Sequence, residues 1–137
     1  MNRNDFKLLA LTRMREAKVL LANGEYSGAY YLAGYVVECA LKACIAKRTK
    51  RHDFPAKKTV NDSWIHDLAQ LVGPAGLVIS LAAEIKADQV FSRNWANVIR
   101  WKEDSRYVIN DKREAVDLVT AISDRRHGVL RWLKRHW

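Results

Sequence analysis

Residues 25–47, EYSGAYYLAGYVVECALKACIAK, constrain the fold more than any other stretch of the chain. The segment is rich in apolar residues and contains no proline, so it is predicted to form one long helix. Tyr26, Ala29, Tyr30, Ala33, Val37, Ala40 and Cys44 recur at steps of three and four, which is one helical face. Tyr31, Tyr35, Leu41 and Ile45 make a second face. A helix apolar on nearly all sides belongs inside a bundle rather than on its surface. Gly34 and the small residues Ala29, Ala33 and Ala40 let neighbouring backbones approach closely. Between Tyr26 and Ala46 only Glu38 and Lys42 interrupt the apolar pattern. They are four apart with the glutamate on the N-terminal side, the favoured order for a helical ion pair. The pair reads in two ways: a salt bridge at the edge of the buried face, or a polar cleft or subunit interface that orients a ligand.

The rest of the composition fits a helical core. Hydrophobic residues make up 49% of the 137, too many for a disordered chain, and there are only two prolines. Turn signals at the short, regular spacing of β proteins are missing. The expected fold is all-α, an antiparallel up-and-down bundle of four to six helices in one domain, residues 1–137. The net charge of +9 favours an acidic partner such as nucleic acid, an acidic protein or an anionic surface. A basic surface with no specific partner accounts for the same charge. The start, MNRNDFKLLAL, has no signal-peptide apolar core, and no apolar run is read as approaching membrane-spanning length. A cytoplasmic location without a membrane partner is therefore expected. Cys39 and Cys44, five apart on one helix, form no CxxC pair and are expected to pack as reduced, small hydrophobes.

Taken in order, the chain begins with a helix over about residues 4–22, capped by Asn4 or Asp5. Phe6, Ala10, Met14, Ala17 and Leu21 form its inward stripe, with Lys7, Arg15 and Lys18 off it. Asn23 and Gly24 end it, and the short turn implies an antiparallel hairpin with the central helix. After Lys47 comes a basic stretch, KRTKRHDFPAKKTVNDS, read as one long loop. Its Lys47, Arg48, Lys50 and Arg51 are candidates for phosphate contact; as a plain solvated connector they would do nothing. Asn61, Asp62 or Ser63 can start a further helix containing Trp64, Ile65, Leu68, Leu71 and Val72, which Gly73 and Pro74 break. Helices are then expected over residues 77–90, around Trp95 and Val98, and over residues 111–135, with a turn at KEDSRYVIND. Arg125, Arg126 and His127 add a second basic patch.

No HExxH, paired CxxC, P-loop, GxGxxG or GxSxG motif occurs, so neither a metal site nor a cofactor is expected. The order of features is similar to that of a known family. REAKVLLANGEYSGAYYLAGYVVECALKACI spans the hairpin; a variable loop follows, then HDL at His66, Asp67 and Leu68, then DSRY ending at Arg106 and Tyr107. This resembles the HEPN domain, the higher-eukaryote and prokaryote nucleotide-binding domain, over roughly residues 5–127. The resemblance implies a helical bundle that commonly forms homodimers and is often encoded beside a minimal nucleotidyltransferase, as a toxin–antitoxin module. Many members are metal-independent ribonucleases that use an arginine and a histidine separated by four to six residues, two copies meeting across a dimer. Others lack the motif and act as binding or scaffolding modules.

Arg93 and Asn94 have the opening pair of that motif but no histidine at the required spacing, and Arg106 has none either. The arginine–histidine pair that fits is Arg131 with His136. Histidine can serve as general base on a 2′-hydroxyl and arginine can stabilise the developing phosphoryl charge. On a helix, however, residues five apart lie about 140° apart and share no face. The alternative is a basic helix end whose cations suit the C-terminal dipole. His66 reads as a structural helix-start residue or as an acid–base group without a named partner. Arg106 beside Tyr107 offers a phosphate fork and a stacking ring, or packs on Trp95 or Trp101. The reading that follows is a HEPN-like module that binds RNA or nucleotide, a nucleotidyltransferase partner, or both, without strong catalytic activity. The alternative is a ribonuclease toxin with Arg131 and His136 as its catalytic pair.

Overall fold

A computed structural model describes residues 1–49 and 56–137. Among these residues the chain is all-α. Its elements are α1 (Arg3–Ala22), α2 (Tyr26–Arg48), α3 (Lys57–Ser63), α4 (Leu68–Leu71), α5 (Val78–Ala87), α6 (Gln89–Val98), a 3-10 segment (Glu103–Tyr107), α7 (Lys112–Ser123) and α8 (Val129–Lys134).

The apolar segment is indeed the central helix. α2 packs along α1 and touches α4, the 3-10 segment, α7 and α8. Ala33, Val36, Val37, Ala40 and Leu41 are fully enclosed there. By length and composition α2 could cross a membrane, with a mean hydropathy of 1.3 in its most apolar window, a property the sequence reading did not credit it with. Instead 61% of that window is buried inside the protein, against the other helices. The α1–α2 hairpin turns at Gly24, whose positive φ of 77° is accessible to glycine without steric cost. Ala10, Met14 and Ala17 of α1 are buried as the stripe required, and so are Ala115, Leu118 and Ile122 of α7 and Val129 and Leu133 of α8. Trp132 fills the space between α8 and α6, its ring 5.4 Å from that of Phe91 and 6.2 Å from that of Trp95.

Several boundaries differ from expectation, each for a local reason. The α1 cap is Asn2, which accepts from the amides of Asn4 and Asp5 while Asp5 closes a capping box. The stretch read as one loop contains α3, so Lys57 and Lys58 lie on a helix. Ser63 ends that helix instead of starting one, and the next cap is Asp67, accepting from Gln70. Trp64 consequently sits in the connection, 77% exposed. The helix expected over residues 77–90 stops at Ala87, because Asp88 accepts from the Phe91 amide and caps a new one. The final helix is likewise two. Asp124 accepts from the amides of Arg126 (2.9 Å) and His127 (2.6 Å), a local turn that competes with helix continuation.

The last residues are tied down. Arg3 donates to the Trp137 carbonyl (2.6 Å), Lys47 donates to the His136 carbonyl (3.0 Å), and the Lys7 ammonium lies over the Trp137 ring. The fraying expected of a chain end is thereby opposed at His136.

Candidate functional site

Two polar regions stand out against this helical core. The first is an open cleft of about 550 Å³ between α1, the end of α7 and α8. Leu11, Met14, Ile122 and Leu130 give it an apolar floor. Five cations surround that floor: Arg15 and Lys18 from α1, Arg125 from the α7–α8 turn, and Arg131 and Lys134 from α8. Arg15 and Lys18 are three apart on α1, and so are Arg131 and Lys134 on α8, so each pair lies on one side of its helix. The single lining carboxylate, Asp124, is engaged by the two amides of its own turn, and the first of these, from His127, holds its pKa below the ordinary value. Arg131 donates to the Arg126 carbonyl (3.0 Å), which fixes its reach. A cleft of this kind can receive phosphates on its rim and an apolar or aromatic body on its floor.

The second region is a side-chain network on the opposite element set. Glu38 is buried at 4% exposure. Its Oε1 accepts from the Lys42 ammonium (2.8 Å) and faces Nδ1 of His66 (3.0 Å), while its Oε2 is buried with no hydrogen-bond partner among the described residues. On the other side of the imidazole, Nε2 lies 3.4 Å from Glu103 Oε2. Glu103 Oε1 in turn lies 3.5 Å from the Arg106 guanidinium, which stacks over the Tyr107 ring at 5.0 Å. The hydroxyls of Tyr31 and then Tyr107 push the Arg106 pKa further up, so the cation is permanent. Lys102 bridges to Asp67 (3.1 Å) beside this network. Burial tends to raise the Asp67 pKa, but the Gln70 amide and Lys102 prevail and hold it below the ordinary range.

The expected site residues fall into separate places. Glu38 and Lys42 form the predicted ion pair, now with His66 as a third member. His66 bonds to the Glu38 side chain across 28 positions, a partner the sequence did not name. Arg106 stacks on Tyr107 rather than on Trp95 or Trp101, both of which are buried. Lys47 and Arg48 close the last turn of α2, Arg48 donating to the Pro74 carbonyl (3.3 Å). Lys50 and Arg51 lie outside the described residues. Arg125 and Arg126 are exposed in the α7–α8 turn, and Arg125 reaches the cleft.

Arg131 and His136 take different surroundings. Arg131 lines the cleft, whereas the His136 ring packs on Trp132 at 5.2 Å and its carbonyl binds Lys47. Burial, then Arg135 and Lys47, push the His136 pKa down. The cysteines are free, and burial pushes each thiol up to about 11, so neither is a thiolate at neutral pH. Sequence reasoning missed Arg15, Lys18 and Lys134 as cleft residues and Glu103 as a network member. The signal for the first three was the pairing of cations three apart on α1 and α8. For Glu103 it was the same spacing to Arg106.

A third contact is structural and gives a direct test. His127 Nδ1 lies 2.6 Å from Asp88 Oδ2, joining the α5–α6 junction to the α7–α8 turn. That bond, with the Phe91 amide, depresses the Asp88 pKa below 3.8. A depressed carboxylate contributes stability that is present above its unfolded pKa and lost as pH falls through the folded one. Melting temperatures measured between pH 2 and 6 are therefore expected to drop steeply at the acid end, and Asp88→Asn should flatten that limb. An acid limb identical in the variant would remove Asp88 from it.

No curated protein and no solved structure matches the chain with significance. A family model described as the HEPN domain matches residues 5–122. That match runs from the first turn of α1 to the last turn of α7 and takes in both Glu38 and Arg106, and this chain belongs to the HEPN domain family.

Proposed function

We propose that this protein is a binding module for the phosphates of RNA or nucleotides, without strong catalytic activity. The observation that carries the reading is the cleft, where five cations surround an apolar floor and the one carboxylate is engaged locally. The net charge of +9 adds long-range attraction for the same ligands. The HEPN family supports a nucleotide-binding or ribonuclease-like module in general terms. The weak-catalysis part of the reading rests on the different surroundings of the two residues, Arg131 in the cleft lining and the His136 ring against Trp132. The proposal extends to a cytoplasmic location and to two protein partners, a second copy of this chain and a minimal nucleotidyltransferase. Light scattering after gel filtration tests the homodimer.

The test of binding is a titration of fluorescent single-stranded RNA with the purified protein in EDTA. With three phosphates engaged, affinity should fall about 20-fold between 50 and 200 mM salt. Arg15→Glu combined with Arg131→Glu should weaken binding by about 10-fold or more at low salt, since each contact contributes electrostatically. Affinity independent of salt and of these substitutions would end the reading. Cleavage of the RNA into defined fragments, abolished by His136→Ala in a folded protein, would replace it with the ribonuclease toxin.

A further inference from the structure

The His66–Glu103–Arg106 arrangement has the geometry of an anion seat already holding an anion. One carboxylate spans two nitrogens, with Oε2 3.4 Å from the imidazole Nε2 and Oε1 3.5 Å from the guanidinium; because Nδ1–H donates to Glu38, Nε2 donates in the imidazolium form of the ring, and that is the form that makes the seat. Charge-assisted hydrogen bonds close to about 2.7–2.9 Å, so Glu103 bridges its two partners without sealing either. It is partly exposed and sits on a short 3-10 segment. Its partners are fixed differently. The His66 ring is held from behind by Glu38, whose carboxylate is buried in the core helix and has one oxygen with no partner among the described residues. The Arg106 guanidinium lies over the Tyr107 ring, 5.0 Å from its centre.

We propose that His66 Nε2 and the Arg106 guanidinium form a binding seat for a phosphoryl group, in which the Glu103 carboxylate is an internal stand-in that the ligand displaces. A phosphoryl group presents three acceptor oxygens on a tetrahedral centre and is not tethered to the chain, so it can close to full hydrogen-bond length on both groups where the Glu103 carboxylate stays 3.4 and 3.5 Å away. Arginine is suited to this role by its planar fork. Tyr107, 80% exposed beside the guanidinium, offers a ring on which a planar group attached to the phosphate can stack. The surrounding charges are paired, Glu38 with Lys42 and Asp67 with Lys102, so displacing Glu103 leaves a net positive seat. This seat is separate from the α1–α8 cleft and stands independently of RNA binding there.

The test reads the ring nitrogens of His66 by long-range proton–nitrogen spectra while inorganic phosphate is added at constant ionic strength. Wild-type protein should show weak, saturable shifts of the Nε2 resonance. If the internal carboxylate fills the seat nine-tenths of the time, removing it raises apparent affinity about 10-fold. That gain is expected for Glu103→Ala and, with the side-chain shape kept, for Glu103→Gln. Adding Arg106→Gln to either should abolish the shift. A Glu103 that only braces the fold predicts the contrary, a lower melting temperature with no gain in affinity, and that result overturns the proposal. So does a phosphate shift that survives Arg106→Gln. Repeating the titration with 5′-phosphorylated and 5′-hydroxyl tetranucleotides separates the sources. Tighter binding of the 5′-phosphorylated form than of phosphate assigns the seat to an RNA end, and equal affinity assigns it to a small phosphorylated ligand. Failure of RNA binding at the cleft leaves this readout standing, because inorganic phosphate is the probe.

Discussion

Gly34→Ala is expected to cost about 3 kcal/mol of folding stability or more, the upper range for forcing extra volume into a packed core. A Cβ at Gly34 would fall within the Trp101 indole, which lies flat against the α2 backbone there. Trp101 is fully buried, and its ring also makes an edge contact with Tyr35 of the same helix at 5.1 Å between centroids. In a fully buried site the indole has little room to shift, so the strain is relieved chiefly by moving the segment that carries it away from α2. That segment leads into the 3-10 turn with Glu103 and Arg106, so the substitution should also disturb the phosphoryl seat. The check is urea denaturation of Gly34→Ala, Trp101→Leu and the double variant. Since the two sites touch, the double variant should lose clearly less than the sum of the singles. Additive losses would show that the close approach is not the cause.

Glu38→Ala should be comparably costly, about 3 kcal/mol, the range seen when one partner of a buried ion pair is removed. The side chains of Glu38 and Lys42 are 5% and 13% exposed, so the lysine would be left charged with little water to replace the carboxylate. Most of the loss belongs to that orphaned ammonium. His66 is 40% exposed and can be rehydrated. The pairing of causes can be separated by Lys42→Met in the Glu38→Ala background, which removes the stranded charge and should recover part of the stability. Losses under about 0.5 kcal/mol in Glu38→Ala, the ordinary range for surface changes, would contradict the buried assignment.

The central helix was legible because its signal is redundant. Twenty residues of apolar periodicity with small side chains at close-approach positions permit few alternatives, and the same holds for the stripe of α1 through Ala10, Met14 and Ala17. Boundaries were less legible where a polar residue can play two parts. Asp88 and Asp124 read as ordinary surface positions inside periodic segments. In the fold each accepts amide hydrogen bonds that end one helix or begin another, and Asp88 also meets a histidine 39 positions away. Propensity along a window does not register a competing local hydrogen bond whose value depends on that distant partner.

For function, the sequence by itself determined the helical class, the HEPN resemblance, the excess of positive charge and the Glu38–Lys42 pair. The class, the charge and the pair follow from composition and from spacings within one helix, and the resemblance from the order of motifs along the chain. Only the tertiary structure decided that Glu38 is buried and reaches His66, that Glu103 stands between His66 and Arg106, and that Arg15 and Lys18 face Arg131 and Lys134 across one cleft. It also placed Arg131 in the cleft lining and the His136 ring against Trp132. The physical reason is the range of the forces. Helical periodicity and net charge are sums over neighbours or over the whole chain. A site is made by groups brought within a few ångströms by packing between helices, and sequence distance does not encode that.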